Sequence, residues 1–107
     1  MTCAKWNDLE DIGLASCLLQ EEKLNLVIVK GGQVLASSKG EGIYPLFKTI
    51  LDKGDSLSGA ALADKIVGAA IAMLCLYARI ASVYADLASQ KTVDLLKEQW
   101  ICLGIKE

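Results

Sequence analysis

The chain has 107 residues, enough for one domain with its own core. Hydrophobic residues make up 53% and charged residues 22%, an apolar excess carried by Ala, Leu, Ile and Val that suits a doubly covered sheet or a subunit interface. The net charge of −2 is spread along the chain without a basic block, which argues against binding nucleic acid through its phosphates, and the absence of histidine excludes a Ser-His-Asp triad, a Cys-His dyad and an HExxH zinc site.

Residues 7–22 predict a helix, with Asn7 or Asp8 as its cap and Glu10 and Asp11 in its electropositive first turn. Residues 24–30 and 33–39 read as two strands, and Gly31-Gly32 between them supplies the positive φ angles of a tight hairpin turn. The run Leu26-Val27-Ile28-Val29 is continuous, as in a strand covered on both faces. Gly40 and Gly42 flank Glu41 in the next turn. Pro45 then opens a helix over 45–53, which Gly54 ends.

Residues 58–79 predict one long helix, with Asp64 and Lys65 near its start and an apolar core at 66–78. That core falls well short of the roughly 20 residues a transmembrane helix needs, and Lys65 and Arg79 bracket it. It is expected to be an interior helix, apolar all round. Residues 82–89 read as a buried strand, 90–100 as a helix capped by Ser89, and 101–105 as a short last strand. Helices alternating with strands predict one layered α/β domain over 1–107 with a mixed sheet, its strand–helix–strand crossovers right-handed.

Cys3, Cys17, Cys75 and Cys102 form no CxxC pair. With no basic n-region and apolar h-region at the start, they read as reduced thiols in a cytoplasmic protein, Cys75 as a buried apolar residue. Trp6, Trp100 and the tyrosines read as core or interface anchors rather than a stacking platform.

No catalytic or metal-ligating set stands out. The candidate ligand-binding residues are Gly40, Gly42, Asp64, Lys65, Asp86 and Ser89. The Gly40-Glu41-Gly42 turn offers backbone N–H groups to an anion but lacks the endings of a P-loop or dinucleotide fingerprint, and is otherwise a plain turn. Asp64 and Lys65 are either a helix cap with a charged neighbour or a pair projecting into a pocket. Asp86, inside a strand, needs a partner, such as Lys65 or Arg79, or an open cleft.

The stretches VIVKGGQVLASSKGEGIYPLF and SGAALADKIVGAAIAMLCLYARIASVYADLAS resemble a small prokaryotic family, domain of unknown function 1893, over nearly the whole chain. The resemblance implies a cytidine-deaminase-like fold: three layers, α/β/α, around a mixed sheet that begins with an antiparallel hairpin. Zinc deaminases of that fold place H-x-E at one helix start and P-C-x-x-C at the next. Here those places are matched to Ala63-Asp64-Lys65 and Ser89-Gln90-Lys91-Thr92, which hold neither a zinc ligand set nor the catalytic Glu, so no metal cofactor is expected. Family members continue into a tail with an Asn-Arg and a Cys-Pro pair. This sequence ends at Glu107 without it, as either a naturally short member or a truncated piece of a longer chain would, and a site completed by that tail would be incomplete.

Three functions follow as expectations. The first is a domain binding a small, nucleotide-like ligand near Asp64, Lys65, Ser89 and the Gly40–Gly42 turn, without zinc-deaminase activity. The second is a non-catalytic interaction module acting as a homodimer. The third is a metal-independent enzyme using Lys65 and Asp64, which requires a depressed lysine pKa. No membrane or nucleic-acid partner is expected.

Overall fold

The computed structural model describes residues 6–98 and 102–105. Helix α1 spans Trp6–Glu21, followed by strands β1 (Leu26–Lys30) and β2 (Gln33–Ser38), helix α2 (Tyr44–Lys53), strand β3 (Ala61–Val67), helix α3 (Ala69–Ala78), strand β4 (Ser82–Ala88), helix α4 (Gln90–Glu98) and strand β5 (Cys102–Ile105). A 3-10 turn, Gly54–Leu57, links α2 to β3. The sheet runs β2-β1-β3-β4-β5. β1 is antiparallel to β2 and β3, while β3–β4 and β4–β5 are parallel. The expected mixed sheet beginning with a hairpin is therefore present.

Two apolar layers hold it. On one face, Ala15 and Leu19 of α1 bury Val27, Val29 and Ala63. On the other, Leu46 and Ile50 of α2, Ile71 and Cys75 of α3 and Leu96 of α4 bury Leu26, Ile28, Leu62 and Val83. The molecule is thus α/β/α, with one helix on one side and three on the other. β1 is covered on both faces, as its unbroken apolar run requires.

The hairpin turn has φ +59° at Gly31 and +78° at Gly32, so a side chain at either position would be strained. Both backbone N–H groups donate to the Asp11 carboxylate of α1, at 2.9 Å each. Asp11, expected to favour a helix start, instead ties α1 to the sheet. Asn7 and Asp8, expected at the helix start, lie inside α1, which already includes Trp6.

The largest correction concerns residues 58–79. They form a strand, a turn at Gly68 and a helix, rather than one helix. A strand buried on both faces shows no alternation, and its apolar run resembles that of a buried helix. Ile66-Val67, β-branched, followed by Gly68, was the available signal. α3 is also not interior all round, since Met73 is 63% and Tyr77 76% exposed. Strand 82–89 is buried only in part, Leu87 being half exposed. Cys75 is buried as expected, whereas Cys3, Trp100 and Ile101 lie outside the described residues.

Asp11→Ala removes both acceptors of the turn N–H groups. It is expected to lower stability by about 1–2 kcal/mol without changing the far-ultraviolet circular dichroism, measured by urea unfolding.

Candidate ligand-binding site

The parallel pairing of β3 and β4 places two helix starts side by side. Val67 is in register with Ala88, so Gly68, which precedes α3, lies next to Ser89, which precedes α4. α3 has no side-chain cap, and its first intrahelical bond is donated by Ala72 to the Gly68 carbonyl. The N–H groups of Ala69, Ala70 and Ile71 therefore have no partner within the helix. Between this helix start, the end of β3 and the Gly40–Gly42 turn lies a cleft of about 460 Å³.

Four of the six candidate residues line this cleft: Gly40, Gly42, Asp64 and Lys65. Gly42 has φ +78°, which favours glycine, and a Cβ on Gly40 would crowd Pro45 Cγ at 3.1 Å and Ser38 Oγ at 3.2 Å. Asn25, Gly68, Ala70 and Ile71 also line the cleft and were not anticipated. Asn25 splices its walls together: its side-chain amide donates to the Lys39 carbonyl at 2.7 Å and its own carbonyl accepts from the Lys65 N–H at 3.1 Å. An Asn just before a strand was the only hint of that role.

Asp64 is not at a helix start. It stands within β3, opposite Leu26 of β1 and Ala85 of β4, and is 8% exposed. Its Oδ1 accepts the Ile66 N–H at 3.3 Å, and no other hydrogen bond to its carboxyl is formed among the described residues. Its second oxygen is not sealed in the interior, because Ser82 Oγ is the one fully buried side-chain polar atom without a partner among them. Burial pushes the Asp64 carboxyl up to about 7, against the lowering pull of the Ile66 N–H and of the nearby Lys65 N–H, which itself donates to the Asn25 carbonyl. Burial, and then the charge of Asp64, push the Cys75 thiol up to about 12. Lys65 is exposed at the mouth.

Asp86 and Ser89 do not line the cleft. Asp86 follows Tyr84 by two residues and shares its α1-side face of the sheet, opposite to Asp64. There it accepts from the Gln20 side-chain amide of α1 at 2.6 Å, which replaces the expected pairing with Lys65 or Arg79. Beside it, burial and then the Asp86 charge push the Tyr84 hydroxyl up. Ser89 is the expected helix cap: its Oγ accepts the Thr92 N–H at 3.2 Å and lies 3.0 Å from the Thr92 hydroxyl.

The helix starts also decide whether a deaminase zinc would fit. The first is Gly68-Ala69-Ala70, not the Ala63-Asp64-Lys65 matched to it from sequence, and the second is Ser89-Gln90-Lys91-Thr92. Neither carries an imidazole, a thiol or a carboxylate. Among the described residues no three His, Cys, Asp or Glu side chains converge on a common point. The residues present do not fit the metal.

Solved structures similar to this chain include deaminases. The cyanophage S-TIM5 dCMP deaminase in complex with dCMP and dUMP superposes with TM-score 0.64 at 14% identity, over 88% of this chain and 92% of its own. The Thermotoga maritima diaminohydroxyphosphoribosylaminopyrimidine deaminase/5-amino-6-(5-phosphoribosylamino)uracil reductase superposes with TM-score 0.62 at 17% identity, over 78% of this chain and 29% of its own. The fold is cytidine-deaminase-like. A DUF1893 family protein from Thermotoga maritima matches with TM-score 0.81 at 24% identity, over 97% of this chain and 67% of its own. The model of the family described as Domain of unknown function (DUF1893) matches residues 14–106, and the chain belongs to that family. No curated protein matches the sequence. No helix among the described residues is long and apolar enough to cross a membrane.

The raised Asp64 value has a signed consequence. The folded state holds the proton more tightly than the unfolded chain, so stability is fullest below about pH 4 and falls as pH rises towards 7, by up to about 4 kcal/mol at roughly 1.4 kcal/mol per pH unit. Asp64→Asn, neutral and of the same shape, is expected to be more stable than the native protein at pH 8. That advantage should shrink or vanish at pH 4, read by urea unfolding at the two pH values.

Proposed function

We propose that the protein binds a small, nucleotide-like ligand in the cleft between β3, the start of α3 and the Gly40–Gly42 turn, and does not perform zinc-dependent deamination. The observation that carries this reading is Asp64, a carboxyl buried at the cleft floor with a single hydrogen bond among the described residues. A buried acid without a salt-bridge partner is costly to keep unless something uses it. Around it the cleft combines apolar walls, Leu26 and Ile71, with backbone N–H groups at a helix start, which suit an anion. The likeness to a deaminase in complex with dCMP and dUMP supports a nucleotide-like ligand. The misfit of the helix starts to zinc supports a role other than deamination. A cytoplasmic setting is supported by the free thiols of Cys17 and Cys75. The reading of Lys65 as a nucleophile loses support from its exposure, since activation of a lysine needs desolvation or a cationic neighbour.

Native mass spectrometry of the freshly purified protein and a thermal-shift screen against mononucleotides test the proposal. A ligand at about 100 times its Kd is expected to raise Tm by roughly 10 °C or more. Ala70→Phe fills the cleft from an exposed helical position and is expected to abolish the shift while leaving the unliganded Tm within a few degrees. No co-purified mass and no stabilisation by any mononucleotide would sink the proposal.

A second reading is favoured by the outer surface of α2 and α3. Phe47, Leu51 and Tyr77 are all exposed there, along a groove of about 930 Å³ that also carries Asp55 and Arg79. One patch with apolar side chains and both charges can face a second copy of itself. Light scattering is expected to give a dimer that Tyr77→Asp dissociates. A monomer at high concentration would overturn this reading.

A further inference from the structure

Resting on the ligand-binding reading above, we propose that Asp64 selects the ligand, and that the ligand's inner end is a planar heterocycle whose edge presents two adjacent N–H donors, as the guanine edge does.

The geometry narrows the choice in three steps. First, once Asp64 is ionised the floor of the cleft presents acceptors. Asp64 Oδ1 spends one lone pair on the Ile66 N–H, and the rest of the carboxyl is unused among the described residues. An ionised carboxylate has four acceptor sites and no donor. Second, no counter-charge is built in beside it. The side chains facing Asp64 from β1 and β4 are Leu26 and Ala85, which are uncharged. From α3 the nearest titratable group is the Cys75 thiol, and Glu41 and Lys65 are exposed at the rim. The ligand must therefore supply the donors that stabilise the charge. Third, the flanking walls are apolar, formed by Leu26, Ile43, Ile66 and Ile71, which suit a flat ring better than a hydrated ammonium.

A neutral ring satisfies a carboxylate best with two N–H groups side by side, so that both oxygens accept. An edge that places a ring nitrogen acceptor beside an amino group, as adenine does, sets one lone pair against another. Because Asp64 must be ionised to accept both bonds, such a ligand binds more tightly as the pH rises through 7.

Isothermal titration of the full chain with guanosine, inosine and adenosine 5′-monophosphates at pH 8 tests this. Guanosine monophosphate is expected to bind roughly 10–100-fold more tightly than adenosine monophosphate, the worth of one charge-assisted bond, with inosine monophosphate between them. In Asp64→Asn, whose fold is checked by circular dichroism, the preference is expected to disappear. Guanosine monophosphate affinity should also rise from pH 6 to pH 8 in the native protein and not in the variant. The phosphate's own titration is common to both proteins and drops out of that comparison. The pH series on the native protein also stands alone should the variant fail to fold. Equal affinities for the three nucleotides, or a native affinity that does not rise with pH, would overturn the assignment and leave the cleft reading intact. Binding of another small-molecule class, lost in Ala70→Phe, would overturn it in the same way. Failure of every ligand to bind would overturn both.

Discussion

Everything in this molecule is arranged around the burial of β3 on both faces. Ala61 and Ala63 are nearly inaccessible, and their small side chains let α1 lie close against the strand. Leu62 on the other face fills the space beneath the helical layer. Burying a branched aliphatic side chain in this way contributes about 1.5–3 kcal/mol. β3 is also where the sheet changes character, antiparallel to β1 on one side and parallel to β4 on the other. Because β3 and β4 are parallel, both end, and α3 and α4 begin, at the same edge.

That edge is where the cleft forms. In open α/β sheets a crevice opens beyond the carboxyl ends of parallel strands, and the free N–H groups of the following helices point towards it. This chain shares its architecture with deaminases of known structure, but it carries Gly68-Ala69-Ala70 and Ser89 at the two helix starts. The polar group that matters is shifted inward, onto β3. Asp64 sits where a strand residue points under α3, and burial alone accounts for most of its raised proton affinity. The same carboxyl influences Cys75, so cleft floor and helix interior share one electrostatic environment.

The hairpin, α2 with its Pro45 start and Gly54 end, the Ser89 cap and β4 were legible because each is announced by local chemistry. Positive φ, a fixed proline φ and a hydroxyl cap act within a few residues. The strand–turn–helix over 61–78 was not legible, since an Ala-rich strand covered on both faces has no period to distinguish it from a buried helix. Of the six candidate site residues, four meet at one cleft. The partner of Asp86 was not legible because which face of β4 meets α1 and which meets the cleft is set by the packing of α1 on the sheet, not by the strand itself.

By itself, the sequence determined the α/β class, the hairpin, the lack of any histidine for catalysis, and the presence of a polar Asp64-Lys65 pair in an apolar stretch. These follow from composition and from interactions between near neighbours. Only the tertiary structure decided that Asp64 is a strand residue at a cleft floor, that Asp86 faces α1, and that the Gly40–Gly42 turn meets the start of α3. Each depends on register and crossover between segments far apart in the chain. Long-range pairing is set by the simultaneous burial of many side chains, which no single stretch of sequence records.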